Sequence, residues 1–419
     1  MPLAPTFILT FTFIALLVST TLIRLWLGRR HIAYVQAHRD QVPTAFKESI
    51  ALDAHQKAAD YSSAKTKLMM IEAFTQALLL VALTLGGGLQ FIDDIWRHLL
   101  PTQEIIRGAL VIYSAMLINS VIDLTLSYYK IFVIDETFGF NKMTLSMYFK
   151  DLIKNSVLEI VIIAPILFVA LWLMNSSGQH WWLYLWMVFV GYSVFMHAIT
   201  PTFIAPLFNK FSPLEDESLK QRIEVLLTKC GFKSQGLYVM DGSSRSSHGN
   251  AYFTGFGTSK RVVFFDTLLE RLNVNEIEAV LAHELGHFKH HHVIKRIALM
   301  FFVSFLGLAL LGWLMSQHWF YTGLGVAQES NYMALILFLL ASPVFLFLLR
   351  PLMASYSRKN EFEADSYAAT HANAKDLIEA LVKLYRDNAS TLTPDPLHSA
   401  FYDSHPPASI RISKLAAYT

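Results

Sequence analysis

The chain has 419 residues, of which 54% are hydrophobic and only 16% charged, with a formal net charge of +2. Soluble domains carry about 25% charged residues, so these proportions exclude an ordinary water-covered fold and call for lipid against much of the surface. The near-balanced charge leaves no footprint for nucleic acid, and the one cysteine, Cys230, excludes an intrachain disulfide framework and a cysteine-based zinc site.

Seven apolar stretches reach the roughly 20 residues that a bilayer crossing needs. In chain order they are 7–27, 68–91, 105–128, 156–174, 181–205, 293–315 and 332–353. The first is a retained span rather than a secretory signal. Residues 1–6 lack a positive region, and the basic residues Arg24, Arg29 and Arg30 come late in it or after it. The third carries Asn119 and Asp123, which at membrane depth either line a wet chamber or pair between helices. Lys and Arg concentrate after the first, third and fifth spans. The alternate loops are poor: 93–104 has only Arg97, and 175–180 and 316–331 have neither. The positive-inside rule then sets the N-terminus outside and the C-terminus in the cytoplasm.

Four regions follow. Residues 1–205 hold spans one to five with a cytoplasmic helical extension over 28–67. Residues 206–292 form a soluble insert, 293–353 hold spans six and seven, and 354–419 form a helical end that completes the site. Within the insert, 218–230 has helical periodicity closed by Gly231. Segments 236–240, 250–256 and 261–265 read as strands of a small sheet.

The insert ends in His283-Glu284-Leu285-Gly286-His287, preceded by an unbroken helical run from Asn275. A spacing of i, i+4 puts both imidazoles on one helix face, as two ligands of one zinc ion require. Glu284 lies beside that metal, where a general base for the attacking water belongs. A third ligand must come from elsewhere. His290-His291-His292 lies too far along the helix to share the metal and reads as a polar cap before span six. Glu361 follows span seven directly and shares a helix face with Asp365. That pair suits a ligand and a carboxylate orienting a ligating histidine; Glu363 is the rival ligand.

These segments carry a resemblance. His283 to His287, Ser357-Arg358 with Glu361-Phe362 and Ala364-Asp365, Ser404-His405-Pro406-Pro407, and Arg245 to Phe253 followed by Val263 to Leu269 together resemble the type 1 CAAX prenyl proteases of peptidase family M48, over nearly the whole chain. The resemblance implies a predominantly α-helical integral membrane protein. About seven transmembrane helices would surround an intramembrane chamber, joined to a gluzincin-type metalloprotease domain with a small β-sheet. It implies one zinc ion per chain held by His283, His287 and Glu361, with Glu284 as base and His405 stabilising the oxyanion. It also implies that Asn250, Ala251, Tyr252 and Phe253 pair with an extended substrate.

The expected function is a membrane zinc endopeptidase, with a peptide or protein substrate, prenylated or not, membrane lipid as its other partner, and no nucleic acid. A bacterial chain would sit in the inner membrane and a eukaryotic one in the endoplasmic reticulum, with the catalytic side cytoplasmic in both. The alternatives are a heat-shock-type quality-control membrane protease and, from another class, a seven-span receptor or transporter with a vestigial metal site.

Overall fold

The computed structural model describes residues 3–254 and 259–419. Among them, seven helical segments are long and apolar enough to cross a membrane. Helices α1 (Leu3–Ala37) and α2 (Leu52–Leu83) run far past the membrane as a hairpin, closed by a 3-10 turn at Thr44–Phe46. The expected second span, 68–91, stops short. Gly86, Gly87 and Gly88 break it, Gly87 in the left-handed region at φ 78°, and α3 (Gly88–Leu99) starts as a separate amphipathic helix. Helix α3 buries Asp93, which accepts from the Tyr332 hydroxyl at 2.6 Å and pairs with Arg97 at 2.7 Å. These bonds tie α3 to Tyr332, at the start of span seven.

Helices α4 (Glu104–Tyr129), α5 (Leu145–Ser176) and α6 (Trp181–Ile199) form spans three to five. Wider π turns follow at Lys130–Asp135 and Thr200–Ile204, then short α7 (Ala205–Phe208). Helix α11 (His292–Leu314) is span six. On it Phe302, Leu306, Leu310 and Trp313 are all exposed along one stripe, the pattern of a lipid-facing surface. After α12 (His318–Gly323), α13 (Asn331–Leu346) is span seven. It passes through one 3-10 turn into α14 (Arg350–His371). The charged segment after span seven is thus the continuation of a nearly unbroken rod.

Between α7 and α11 lies the soluble insert: β1 (Phe211–Pro213), α8 (Glu217–Lys229), β2 (Lys233–Met240), β3 (Ala251–Thr254), β4 (Ser259–Phe265), short α9 (Asp266–Leu269) and α10 (Val274–Lys289). Gly231, at φ 80°, ends the helix as the sequence indicates. The sheet order is β1-β2-β4-β3, with β2 and β4 parallel and the outer pairs antiparallel. Strand β1 has no signal in the sequence because three residues ending in proline carry no alternation. Residues 255 and 256 of the expected third strand lie outside the described residues.

The core of this part joins Ile223 and Leu226 of α8, Val262 and Phe264 of β4, Leu281 and Leu285 of α10, and Leu377 and Leu381 of α15 (Ala374–Asp387). Two short helices, α16 (Pro396–Tyr402) and α17 (Ala408–Leu415), close the chain. Helix α10 begins with a reciprocal capping box between Asn273 and Glu276. The buried Glu276 carboxylate also meets Lys383 at 2.7 Å, fixing α10 against α15.

Inside the bundle, α1, α2, α4, α5 and α13 enclose a cavity of about 550 Å³. Asn119 and Asp123 both line it; Asp123 accepts hydrogen bonds from Gln76 of α2 at 2.9 Å and from Asn119 of its own helix at 2.6 Å, so it both lines the cavity and pairs between helices.

Helices α10 and α14 touch at Gly286. A methyl group there would stand 2.9 Å from the Ala364 Cα and 3.1 Å from the Tyr367 Cβ, both on the rigid face of α14. Gly286→Ala must therefore push the helices apart, at a cost of roughly 1–3 kcal/mol. A lowered unfolding midpoint in detergent is expected for Gly286→Ala. Gly191→Ala, inside α6 at a position with open space around it, should not lower the midpoint.

Candidate active site

The close approach at Gly286 brings together what the sequence separates by more than seventy residues. On α10, His283 and His287 face α14 with their Nε2 atoms 3.3 Å apart. Glu361 on α14 places Oε2 3.4 Å from His283 Nε2 and Oε1 3.3 Å from His287 Nε2. Ligands bound tetrahedrally to zinc at about 2.0–2.1 Å stand ~3.3–3.4 Å from one another, so this triangle has the size of one face of a zinc coordination shell. Glu361 Oε2 is buried with no hydrogen-bond donor, an arrangement that a cation would relieve. These three residues are the described group whose ligand atoms converge within 4.8 Å.

Each histidine is oriented from behind. Asp365 Oδ1 accepts from His283 Nδ1 at 2.8 Å, which leaves Nε2 free to ligate. Burial acts to lower the His283 imidazole, but the hydrogen bond to Asp365 and the Glu361 carboxylate 3.4 Å away outweigh it and push it up to about 9. A proton and a metal ion are alternatives at Nε2, so metal binding displaces that proton. His287 Nδ1 lies 3.0 Å from His292 Nδ1, and His292 Nε2 lies 3.0 Å from Glu363 Oε2. One protonation pattern satisfies this chain: His287 donates to His292, which donates to Glu363.

His292 is thus buried against the site rather than capping a membrane span. The backbone turns at His291, in the left-handed region at φ 58°, and swings His292 back towards His287. Periodicity along a straight helix hides this. Glu363, the rival ligand, faces away from the triangle, towards His292 at 3.0 Å and Lys359 at 3.9 Å.

Arg411 on α17 is a second residue with no signal in the sequence. Its buried guanidinium donates to Asp365 at 2.9 and 2.6 Å and lies 3.7 Å from Glu361 Oε2, which compensates two carboxylates drawn out of water. Only the fold reveals that partner, because Arg411 lies forty-six residues beyond Asp365.

His405 sits in the loop between α16 and α17. Its Nε2 is 3.4 Å from Glu361 Oε1, and its side chain is 61% exposed, open to an incoming ligand. The Ser404 hydroxyl, 3.0 Å from His405 Nδ1, can donate there and leave the proton on Nε2. Arg358, one turn before Glu361, donates to the carbonyl oxygens of Ser399, Ala400 and Asp403 at 3.0–3.3 Å and fastens this loop to α14. Glu284 is half-buried on α10 and near enough to His405 for its charge to act on that imidazole.

Strand β3 lies at the sheet edge and pairs with β4 alone among the described residues. Tyr252 and Phe253 are on it. Asn250 precedes it, its carbonyl accepting from the Phe265 amide at 2.9 Å. Phe253 packs against Phe288, the residue after His287, with ring centres 5.8 Å apart, which ties β3 to the end of α10.

Comparison with known proteins identifies the family. Residues 31–210 match the model for a CAAX prenyl protease N-terminal region of five membrane helices, and residues 213–419 match the model for peptidase family M48. That family is zinc-dependent in general, and the His-His-Glu group fits such a site. The chain is 32% identical to CAAX prenyl protease 1 of Saccharomyces cerevisiae, over 91% of this chain and 90% of the relative. It is 34% identical to the CAAX prenyl protease 1 homolog of Arabidopsis thaliana, over 88% and 89%. The crystal structure of S. mikatae Ste24p superposes with a TM-score of 0.88 at 30% identity, covering 97% of this chain and 98% of the other. Neither a receptor nor a transporter is favoured by these matches. The chain belongs to peptidase family M48 and is an integral, multi-pass membrane metalloendopeptidase.

Proposed function

We propose that the chain binds one zinc ion through His283, His287 and Glu361 and hydrolyses peptide bonds near the C-terminus of protein substrates, including prenylated ones ending in a C-a-a-X sequence. The observation that carries this reading is the 3.3–3.4 Å triangle of two imidazole nitrogens and one buried carboxylate. The prenylated substrate is supported by the names of the relatives and by the cavity of about 550 Å³, whose walls at Leu17, Leu80 and Leu340 are apolar. The charge bias of the loops supports an N-terminus outside and a cytoplasmic catalytic side.

A bound zinc ion supplies Lewis acidity, which raises the acidity of water and polarises the scissile carbonyl. The protein's own residues do the rest. The free edge of β3, with Asn250, Ala251, Tyr252 and Phe253, pairs with an extended substrate backbone and sets its register. Glu284 takes a proton from the attacking water and passes it to the leaving amide nitrogen. His405 donates from Nε2 to the carbonyl oxygen as negative charge builds there, an interaction stronger in the transition state than before it. Asp365 and His292 hold the two ligating rings at their required angles, and Arg411 keeps Asp365 and Glu361 ionised beside one another.

The test is metal content and cleavage of a farnesylated C-a-a-X peptide by the protein purified in detergent. Glu284→Gln is expected to keep its zinc and lose activity by about 10²–10⁴-fold. His283→Ala and Glu361→Ala should lose both. If Glu284→Gln retained most of its turnover, another group would be the base. A metal-loaded protein that cleaves unmodified membrane-protein segments but not the farnesylated peptide would contradict the prenylated substrate and leave the peptidase.

His292→Ala is expected to weaken zinc binding by about 10–100-fold, read by competition with a chromogenic chelator, since His287 then loses its orienting partner. His405→Ala should leave zinc content unchanged and lower kcat by about 10²–10³-fold.

A further inference from the structure

Two arginines flank the passage from the bundle to the catalytic domain, Arg24 in the lining of the cavity and Arg350 exposed at the start of α14, and neither has a carboxylate within the 4.0 Å of an ion pair among the described residues. Arg24 of α1 lines the cavity. Its guanidinium carbon lies 4.7 Å from the centre of the Phe347 ring, and its Nε is buried without a hydrogen-bond partner. Arg350, the first residue of α14, lies over the Tyr402 ring at 5.4 Å. The charges of Arg350 and Glu72 and the Tyr402 side chain all act on Arg24 from beyond contact. Each guanidinium thus rests on an aromatic face with its donors uncommitted to an acid.

Two guanidinium groups with no carboxylate partner repel one another and are suited to receive an anion. The two acids of the cavity do not pair with Arg24: Asp123 is held by Gln76 and Asn119, and Glu159 lies beyond ion-pair distance of it. A guanidinium fork matches a carboxylate bidentately.

The platform is also linked to the catalytic loop. Phe347 stacks on Phe401 with centres 6.0 Å apart. Phe401 and Tyr402 end α16, and His405 follows three residues later. An extended peptide advances about 3.3–3.6 Å per residue, so two or three residues beyond a scissile bond reach about 10 Å.

We propose that Arg24 and Arg350 form an anion subsite that receives the terminal carboxylate of the peptide substrate. This rests on the preceding reading that cleavage occurs near a C-terminus. A phospholipid phosphate is the lesser fit, because Arg24 lines the inside of the bundle rather than its lipid face.

The test compares two peptides of one sequence, one ending in a free carboxylate and one in a carboxamide, cleaved by the full-length protein in detergent. The wild type should prefer the acid by about ten- to a hundredfold in kcat/KM. In the Arg24→Gln/Arg350→Gln double variant the ratio should fall to within about twofold, and Arg24→Lys should retain part of it. The ratio is internal to each preparation, so a fraction of unfolded protein does not affect it.

A wild-type ratio near one, or a double variant that keeps the wild-type ratio, would overturn the assignment. So would a double variant altered only in its response to phosphatidylglycerol against phosphatidylcholine vesicles, which would give the arginines to a lipid phosphate. Absence of cleavage of both peptides by metal-loaded wild type would remove the underlying peptidase reading and the subsite with it.

Discussion

Everything in the catalytic half depends on one close contact, the approach of α10 to α14 at Gly286. The two histidines come from a helix of the soluble insert, and Glu361 comes from the rod that continues span seven. Two ordinary helices pack 8–10 Å apart, with their side chains setting the gap. A glycine facing Ala364 lets the backbones meet more closely, with Ala364 Cα 2.9 Å from where a Cβ would be. The metal triangle is then a direct consequence of helix geometry, since His283 and His287 are one turn apart and Glu361 projects between them. The membrane bears on the same contact, because span seven fixes where α14 begins.

Closeness brings an electrostatic difficulty that the surroundings resolve. Glu361 and Asp365 are both buried, and two carboxylates out of water repel unless cations meet them. Arg411 meets Asp365 with two short bonds and stands near Glu361. His283 shares its two nitrogens between them. What remains unsatisfied is one oxygen of Glu361, on the side where a metal ion would lie. The network therefore leaves an acceptor pointed at the reaction space and neutralises the rest.

Much of this arrangement is legible in the order of residues along the chain. The seven spans follow from hydropathy and length, and the pair of ligating histidines from i, i+4 spacing. The placing of Glu361 and Asp365 on one face towards His283 follows from their own i, i+4 spacing just past span seven. The contributions that are not legible are those that need a bend or a distant return of the chain. His292 joins the site only because His291 takes a left-handed conformation, which no periodicity announces. Arg411 arrives from the last α-helix, and the end of the second span at Leu83 is hidden by apolar residues on both sides of three glycines. His405 before two prolines reads locally as a surface turn. Its place beside Glu361 comes from the bonds that Arg358 makes to the preceding loop.

The most direct measurement of the central claim is zinc K-edge X-ray absorption on the purified, zinc-loaded protein. The account predicts a four-coordinate first shell of nitrogen and oxygen only, at about 2.0–2.1 Å, with outer-shell scattering from two imidazole rings. A sulfur ligand near 2.3 Å, a six-coordinate shell, or scattering from fewer than two imidazoles would contradict it.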